Sequence, residues 1–520
     1  MENSFYYEYI ESDGDRLFTC VCLPQKKNEL PCVVMRSPYV DGCEQLDENE
    51  VCKKILEGNI KWLENGYAVV FQHCRGRGKS TGDFIPYVYE RKDGLLLQSW
   101  IRTQGFYNGE LYLVGGSYTA SVHYLTAPFA NDIKGAIFAV QDTERYNLNY
   151  RNGFFKIGLH GEWYVQMYKN RSIPKKSYTI DSYNMLPLSS FSKAVFGEDV
   201  DDFDEILRRP NKNDPFWKTQ KGGCESHNAI NNSNIPILLT TGFYDIYTGG
   251  VFDMWKKLDW ATKEKSALVV HPYDHGGIPD FQPVRFENGM ISEAFGDYER
   301  NWLNAIRGVG KFPFERGKVT YYNLFENRWH VDDFATPSSK ITFTLGETEQ
   351  SYLYDPSNPA TFNGGLSANF GGTSWQNKPN LRKDIVTLYT PRLEKDVYVK
   401  GKISAKLLVK SSCEDTCFYV RISLEDKDGD YGLRDDINQI SSFAKDYKPN
   451  TEIYMDFSFD EHAFLIKKGQ RLRVDISSSA LPHYVRHTNK KGLFSTQGEA
   501  FVAKNTVVCN KSTLTVPYSD

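Results

Sequence analysis

The fold is decided by one stretch of ten residues, Leu111-Tyr112-Leu113-Val114-Gly115-Gly116-Ser117-Tyr118-Thr119-Ala120. An apolar strand leads into a turn of small residues, and a helix-compatible segment follows. A serine at the apex of such a turn is held in a strained backbone conformation, so the residues two before and two after it must be small. Gly115 meets this requirement, whereas Thr119 replaces the usual glycine. The pattern predicts a nucleophile at Ser117, and it is also compatible with a serine in a glycine-rich turn that has no catalytic role.

A serine hydroxyl is a weak nucleophile and needs a histidine base that a carboxylate orients. In chains with this strand–turn–helix nucleophile the order is serine, acid, histidine. Asp245 follows one apolar strand candidate and His275 follows the next, 30 residues later, which suffices for two adjacent parallel strands with a crossover helix. We therefore expect Ser117, Asp245 and His275 to meet at one edge of one sheet. His271, at the end of its strand, is a rival for the base.

The pattern of strands and helices divides the chain into four segments. Apolar strand candidates alternate with amphipathic helical stretches in residues 1–143 and 233–312, which predicts a parallel sheet covered on both faces. Residues 144–232 interrupt this alternation and predict a helical cap over the carboxyl edge of the sheet. Residues 313–520 hold short alternating runs, beginning with Lys318–Leu324, that predict an all-β sandwich or jelly roll. The fold class expected is α/β with an inserted cap and a C-terminal all-β domain.

Composition and charge exclude several classes of protein. The 520 residues carry a net charge of −4 and no Lys/Arg-rich run, so a nucleic-acid partner is not expected. No apolar run approaches the roughly 20 residues that cross a bilayer, so no membrane partner is expected. The acidic N-terminus lacks the regions of a signal peptide. The ten cysteines show no zinc-ligand spacing and indicate reduced thiols in a cytoplasmic protein.

Two stretches resemble ligand-binding loops but lack a required residue. Residues 76–80, Gly-Arg-Gly-Lys-Ser, end like a phosphate-binding loop, yet His73 occupies the position of its first glycine. The alternating aspartates of residues 426–430 suggest a calcium loop, yet Tyr431 stands where that loop needs glycine. We therefore expect no metal and no cofactor.

Several short motifs together resemble one family over nearly the whole chain. They are Arg36-Ser37-Pro38-Tyr39, residues 75–82, Gly116-Ser117-Tyr118, Gly242-Phe243-Tyr244-Asp245, His271-Pro272-Tyr273-Asp274-His275, residues 352–356 and residues 477–482. The sequence is similar to the CocE/NonD-type α/β-hydrolase family, which includes cocaine esterase, X-Pro dipeptidyl-peptidases, α-amino-acid ester hydrolases and cephalosporin acylases. The resemblance implies an α/β-hydrolase domain, a helical cap, a jelly roll and a serine hydrolase without a cofactor. Departures from the family pattern at His73, Thr119 and His271 leave the substrate open.

The resemblance also implies an oxyanion hole made by the Tyr39 hydroxyl and the Tyr118 backbone N–H. The second assignment agrees with elementary helix geometry, because the first amide of a helix has no partner within the helix. Four further residues are candidate substrate contacts: Asp142 and Glu144, which follow a strand candidate and are suited to an ammonium group, and Phe243 and Tyr244, which precede Asp245.

We therefore expect acyl transfer to Ser117, with His275 as the base and Asp245 as its orienting acid. The substrate expected is an ester or amide of a small molecule or a short peptide. One alternative is an X-Pro-type dipeptidyl-peptidase or an amino-acid ester hydrolase or acylase. An alternative from another class is a non-catalytic ligand-binding protein on the same fold. A homo-oligomer is compatible with all of these.

Overall fold

The computed structural model describes residues 3–25, 29–167, 183–219, 227–277, 279, 285–365, 372 and 374–519. A ten-stranded sheet organises the N-terminal part. Its first six strands are β1 Ser4–Ser12, β2 Asp15–Leu23, β3 Leu30–Ser37, β4 Ala68–His73, β5 Tyr107–Gly116 and β6 Ile133–Ala139. Its last four strands are β9 Ile237–Gly242, β10 Ala267–His271, β11 Val319–Asn323 and β12 Arg328–Asp332. Between these two groups the cap contains a separate hairpin, β7 Tyr150–Arg151 and β8 Phe154–Phe155.

The strands lie in the order β1-β2-β4-β3-β5-β6-β9-β10-β11-β12. The strands from β4 to β11 in that order are parallel, whereas β1, β2 and β12 pair antiparallel with their neighbours. Both faces are buried, since Val33 packs into one core cluster while Cys32 and Val34 pack into the other. Burial on both sides is the reason that these strands are apolar almost throughout.

Helices cover the two faces of this sheet. They are Glu48–Gly58, Ile60–Glu64, Glu90–Ile101, Tyr118–Tyr124, Thr248–Lys257, Trp260–Lys263, Ile291–Phe295 and Tyr298–Ile306, with the short 3-10 turns Cys43–Gln45 and Ala127–Phe129. The first begins at a capping box, in which Asp47 accepts from the Glu50 amide at 2.9 Å and Glu50 accepts from the Asp47 amide at 3.1 Å. The first two helices meet at Asn59, where one ends and the other begins.

The cap contains short helices and one hairpin. Its helical segments are Arg145–Asn149, the π-helical turn Ile157–Gly161, Glu162–Met167, Leu188–Ser190, Phe191–Phe196, Asp201–Leu207, Pro215–Lys218 and His227–Asn232. Its apolar core, with Phe154 and Phe203, continues into the C-terminal domain through Tyr419. Arg151 in the hairpin forms ion pairs with Asp436 and Asp460, both at 2.8 Å. The cap is therefore attached to the C-terminal domain by apolar packing and by charge.

Two antiparallel sheets form the C-terminal domain. Its strands are β13 Lys340–Thr344, β14 Glu349–Tyr354, β15 Val386–Tyr389, β16 Val397–Gly401, β17 Ser404–Ser411, β18 Cys417–Asp426, β19 Gly429–Gln439, β20 Ile453–Ser458, β21 His462–Ile466, β22 Arg471–Ser477, β23 Ala503–Val508 and β24 Thr513–Ser519, and its 3-10 turns are Ile440–Ser442, Phe494–Thr496 and Cys509–Lys511. One sheet has eight strands and the other has the order β15-β22-β18-β19. The chain thus has the expected class, an α/β-hydrolase domain with an inserted cap and a C-terminal all-β jelly roll.

One boundary differs from the sequence expectation. The run Lys318–Leu324 was assigned to the all-β domain that begins at residue 313, but β11 pairs parallel with β10 and β12 pairs with β11. By sheet membership β11 and β12 therefore belong to the N-terminal sheet, although they lie in the predicted segment 313–520. A run of five buried residues has strand length in either kind of sheet, so the sequence pattern does not tell which sheet it joins.

The N-terminal hairpin β1–β2 was not anticipated as part of the sheet. Cys20 and Cys22 lie on one face of β2 as expected, with their sulfurs 3.8 Å apart and both side chains buried. Within the described ranges, no helix is both long and apolar enough to cross a bilayer. Over the same ranges, no group of three or more His, Cys, Asp or Glu side chains is arranged to hold a metal ion.

Candidate active site

Ser117 occupies a sharp turn between β5 and the helix Tyr118–Tyr124. Its backbone has φ 54° and ψ −132°, a strained conformation for a residue with a side chain. Its N–H donates to the Ala139 carbonyl of β6 at 2.9 Å, which fixes the turn to the sheet. A Cβ on Gly115 would lie 2.2 Å from the Thr119 carbonyl oxygen, so only glycine fits there. The turn thus lifts the serine hydroxyl above the carboxyl edge of the sheet.

Thr119, the residue that departs from the usual glycine, takes part in this turn. Its hydroxyl donates to the Gly116 carbonyl and accepts from the Gly116 N–H, with both distances 2.7 Å. The methyl and hydroxyl groups are therefore accommodated, and the hydroxyl satisfies backbone groups that the turn leaves unpaired. The departure is compatible with a strained serine turn.

His275 joins Ser117 and Asp245 by hydrogen bonds. Its Nε2 lies 3.0 Å from the Ser117 Oγ and its Nδ1 lies 2.6 Å from the Asp245 Oδ2. The other oxygen of Asp245 accepts from the Tyr247 backbone N–H at 2.5 Å, and the Asp245 side chain is fully buried. The three residues follow β5, β9 and β10, whose carboxyl ends meet at one edge of the sheet. Ser117, Asp245 and His275, which chain order predicts to lie at one sheet edge, are therefore joined by hydrogen bonds in the structure.

The electrostatic surroundings of His275 suit a base. Burial lowers the pKa of His275, but the charge and hydrogen bond of Asp245, with the charge of Asp274, outweigh it and raise that pKa above 6.5. His271, the rival, is buried and its Nδ1 accepts from the Tyr273 N–H at 3.2 Å. Burial lowers the pKa of His271 to about 4. His275 therefore holds the position between the serine and the acid.

The two residues expected in the oxyanion hole flank Ser117. Tyr118 begins the helix, so its N–H has no carbonyl of an earlier turn to bond. Its phenol is buried elsewhere and donates to Glu90 at 2.8 Å. The Tyr39 hydroxyl accepts from Trp163 Nε1 at 3.1 Å. Desolvation of its hydroxyl raises the pKa of Tyr39 to about 12, although the hydrogen bond from Trp163 acts in the opposite direction, so this hydroxyl keeps a proton to donate.

A cavity of about 270 Å³ opens above Ser117. Its walls come from the sheet edge and the cap, and its lining residues are Tyr39, Tyr87, Ser117, Tyr118, Gln141, Leu159, His160, Trp163, Gln166, Ile246, Tyr247 and His275. Among the described residues, no carboxylate lines it. Sequence reasoning missed the contribution of Tyr87, Trp163 and Tyr247. These residues are scattered in loops and in the cap, where no periodic pattern marks a pocket.

The wall opposite Tyr39 is built from neutral rings. The Tyr247 ring packs edge-on against His275, with centroids 5.6 Å apart, and its hydroxyl lies 3.4 Å from His160 Nε2. Burial and nearby cations hold the pKa of His160 well below its usual range. This histidine is therefore uncharged at neutral pH.

The two acidic residues expected to contact substrate lie elsewhere. Asp142 is 3 % exposed and accepts from the Glu144 backbone N–H at 2.7 Å. Burial raises the pKa of Asp142 to about 6, and Lys156 beside it acts in the opposite direction. Glu144 lies 3.6 Å from Lys257. Neither residue lines the cavity, because Asp142 bonds the backbone of its own loop and Glu144 pairs with Lys257.

Phe243 and Tyr244 are also absent from the cavity lining. Both are fully buried. The Tyr244 hydroxyl donates to the Gly432 carbonyl at 2.7 Å, and Arg434 donates to the Phe243 carbonyl. Both contacts are made with the C-terminal domain. The two residues before Asp245 therefore bind one domain to the other and do not face the cavity.

A buried cation lies behind one wall of the cavity. Arg145 is 4 % exposed, and its guanidinium stacks 3.8 Å from the centroid of the Tyr87 ring. Its Nη2 donates to the Tyr164 hydroxyl at 3.1 Å, whereas its Nε and Nη1 have no hydrogen-bond acceptor among the described residues. The groups that act most strongly on Arg145 are tyrosines. The positive charge of Arg145 therefore lies directly behind this wall.

Two family models match this chain. The X-Pro dipeptidyl-peptidase (S15 family) model covers residues 13–277, and the X-Pro dipeptidyl-peptidase C-terminal non-catalytic domain model covers residues 314–514. The first range contains Ser117, Asp245 and His275, and the second contains the jelly roll.

Similar proteins are known over the full length of the chain. Cocaine esterase from Rhodococcus sp. is 24% identical and covers 93% of this chain and 92% of its own length. An aminopeptidase from a marine sediment Thaumarchaeota archaeon superposes with a TM-score of 0.81 at 18% identity, covering 99% of this chain and 96% of that one. An α-amino acid ester hydrolase gives 0.81 at 18% identity with coverages of 100% and 97%, and a CocE/NonD family hydrolase from Staphylococcus aureus gives 0.66 at 15% with 100% and 93%. From its matching family model, the chain belongs to the X-Pro dipeptidyl-peptidase S15 family and is a serine hydrolase of the α/β-hydrolase fold.

Proposed function

We propose that this protein hydrolyses carboxylic esters of small, uncharged acids through an acyl-enzyme on Ser117. The observation that carries the proposal is the hydrogen-bonded chain from Asp245 through His275 to Ser117, with distances of 2.6 and 3.0 Å, beneath a cavity of about 270 Å³. A ligand-binding protein has no need for a base held in this position. The ester hydrolase name of the Rhodococcus relative supports the same choice.

In the proposed reaction the Ser117 Oγ attacks the ester carbonyl while His275 Nε2 accepts its proton. The Tyr39 hydroxyl and the Tyr118 N–H stabilise the oxyanion, and one such donor contributes on the order of 10²–10³ in rate. Collapse of the tetrahedral intermediate breaks the bond to the alcohol, which leaves with the proton from His275. Water then attacks the acyl-enzyme with His275 again as base, and the acid is released.

The cavity favours a small acyl group with an apolar or aromatic surface. Its volume of about 270 Å³ is near the lower end of ligand pockets, and tyrosine and tryptophan rings supply much of its lining. Such walls bury apolar surface and offer few hydrogen bonds to an acyl chain. We therefore assign the cavity to the acyl part of the substrate.

The charges around the cavity disfavour an ammonium group there. Asp142 bonds the Glu144 backbone N–H, Glu144 pairs with Lys257, and the cavity lacks a carboxylate among the described residues. The guanidinium of Arg145 lies behind Tyr87. At a separation of about 8 Å and an effective dielectric constant of about 20, two like charges repel by about 2 kcal/mol. An α-amino acyl group or a peptide N-terminus is thus a poorer substrate than its uncharged counterpart.

The first experiment tests the nucleophile. A fluorophosphonate probe should label the wild-type protein and fail to label Ser117→Ala. Absence of labelling in the folded wild type would overturn the hydrolase mechanism and leave the non-catalytic binding protein as the remaining interpretation. Labelling that persists in Ser117→Ala would move the nucleophile to another residue.

The second experiment tests the substrate class with matched pairs. Methyl 3-phenylpropanoate and phenylalanine methyl ester differ by one amino group and are compared at pH 6, where that group is protonated and both rates share any loss from protonation of His275. We expect kcat/KM to be about tenfold or more higher for the uncharged ester. A preference for the amino ester, or cleavage of Ala-Pro-p-nitroanilide faster than p-nitrophenyl butyrate, would instead support an amino-ester hydrolase or an X-Pro-type peptidase.

A further inference from the structure

We propose that Trp163 and Arg77 are positioning residues that hold the Tyr39 hydroxyl in the oxyanion hole, so that the cap helps to set the catalytic geometry. This inference rests on the proposed function, because it assigns the Tyr39 hydroxyl to the oxyanion. It also gives a role to the Arg-Gly motif of residues 75–82, which the triad mechanism leaves unused.

The first observation is the direction of one hydrogen bond. Indole Nε1–H can only donate, so at 3.1 Å it occupies a lone pair of the Tyr39 oxygen. The single hydroxyl proton of Tyr39 must then point to another acceptor, and Tyr39 lines the same cavity as Ser117. Trp163 therefore turns the phenol into a donor aimed at the reacting centre.

The second observation is that Trp163 itself is held rigidly. Its ring stacks on Tyr118, with centroids 5.7 Å apart and an interplanar angle of 26°, and meets Tyr164 edge-on at 5.3 Å. Tyr118 is the residue that follows the nucleophile, and its own phenol is anchored to Glu90 at 2.8 Å. The indole of the cap is thus fixed in relation to the serine turn, which fixes the point from which it donates to Tyr39.

The third observation concerns the backbone that carries Tyr39. Arg77 is 4 % exposed, and its Nε donates to the Pro38 carbonyl at 2.9 Å while its Nη2 lies 3.3 Å from the Asp41 carboxylate. These contacts bracket Tyr39 on both sides in sequence. The Nη1 of the same guanidinium donates to the Met167 carbonyl at 3.1 Å, at the end of the cap helix that carries Trp163. Arg77 therefore joins the Tyr39 loop to the cap helix.

A double-mutant cycle tests the role of Trp163. Trp163→Phe keeps an aromatic ring for stacking and removes the N–H donor. We expect kcat for p-nitrophenyl butyrate to fall about tenfold with KM changed less than about threefold, because the loss is of transition-state stabilisation. In a Tyr39→Phe background, the same substitution should change kcat by less than about twofold, since the hydroxyl that it positions is gone.

Equal losses of kcat from Trp163→Phe in the wild-type and Tyr39→Phe backgrounds would overturn the proposal. Trp163 would then be a residue that only packs against substrate. A loss expressed mainly in KM would do the same. Absence of ester hydrolysis and of probe labelling in the wild type would instead refute the proposed function, so the two failures are distinguishable. The acid limb of the pH profile of kcat/KM should stay at the same pH in Trp163→Phe, because this substitution leaves His275 unchanged.

Arg77→Lys tests the second positioning residue, since lysine cannot reach three acceptors on separate segments. It should also lower kcat, and the loss should largely disappear in the Tyr39→Phe background. Arg151→Lys is the matched control, because Arg151 joins the cap to the C-terminal domain through Asp436 and Asp460 and does not touch the Tyr39 loop. An Arg151→Lys loss that also vanished with Tyr39→Phe would show that the cycle reports cap stability in general and would refute the assignment.

Discussion

Replacing Asp245 by asparagine perturbs the buried end of the hydrogen-bonded chain. The two carboxylate oxygens of Asp245 accept from different donors, Oδ1 from the Tyr247 backbone N–H at 2.5 Å and Oδ2 from His275 Nδ1 at 2.6 Å. Asparagine offers one acceptor and one donor. A backbone N–H can only donate, so the amide oxygen must face Tyr247 and the amide NH2 must face His275.

This orientation reverses the tautomer of His275. Its Nδ1 must then accept, so the imidazole proton moves to Nε2, which lies 3.0 Å from the Ser117 Oγ. A protonated Nε2 cannot take the serine proton. In a serine protease the equivalent change lowers kcat on the order of 10⁴, which corresponds to about 5.4 kcal/mol of activation free energy. We expect a loss of that order here.

The assay is kcat/KM for p-nitrophenyl butyrate at neutral pH, with urea unfolding to establish that Asp245→Asn is folded. Asp274→Asn is the matched control, because it changes a neighbouring acid that makes no hydrogen bond to the imidazole, and it should stay within about tenfold of the wild type. An Asp245→Asn enzyme that retained a tenth of wild-type activity would refute the tautomer reasoning.

Three further predictions concern pH, stability and specificity. Asp274→Asn should move the acid limb of the kcat/KM profile to lower pH, because its charge helps raise the His275 pKa and only unprotonated imidazole accepts the serine proton. Thr119→Val should lower the free energy of unfolding in urea by about 1–3 kcal/mol, since the Gly116 N–H and carbonyl lose partners at 2.7 Å. Arg145→Met should raise the relative kcat/KM for phenylalanine methyl ester about tenfold, because the cation behind Tyr87 is removed.

Each of these predictions has a contrary outcome. An acid limb that stays in place or moves to higher pH would exclude Asp274 as a contributor to the His275 pKa. Unchanged stability of Thr119→Val would mean that the hydroxyl contacts contribute nothing to the turn. If Arg145→Met left the relative kcat/KM for phenylalanine methyl ester unaltered, the Arg145 charge would have no effect on substrates in the cavity. Lys257→Met serves as the control, because it removes a different cation.

The sequence predicted those site residues whose positions follow from the order of strands in the parallel sheet. In a parallel sheet, residues that follow successive strands meet at one edge, so chain order was enough to bring together Ser117, Asp245 and His275. The turn at Ser117 has its own local signature of small residues. The alternation of apolar strands with helices in residues 1–143 and 233–312 was predicted as well, because burial on both faces leaves a short-range apolar pattern in the sequence.

The remaining part depends on contacts distant in sequence. Trp163 and Tyr39 are 124 residues apart in the chain, and no local sequence pattern predicts their contact. Asp142 was predicted to bind an ammonium group because it follows a strand, whereas the structure gives it Lys156 as a charged neighbour. β11 is buried throughout, as a strand of either domain can be, so only its pairing with β10 and β12 places it in the N-terminal sheet.

The attachment of the Asp245 loop to the second domain has a consequence for heat inactivation. Arg434 and Gly432, both in β19, bond the Phe243 carbonyl and the Tyr244 hydroxyl immediately before Asp245. Separation of the domains would release this loop while the parallel strands, which are buried on both faces, keep their own pairing. Hydrolase activity would then disappear at a lower temperature than the parallel sheet unfolds. The C-terminal half, although remote from the reacting atoms, would set the upper temperature at which the enzyme works.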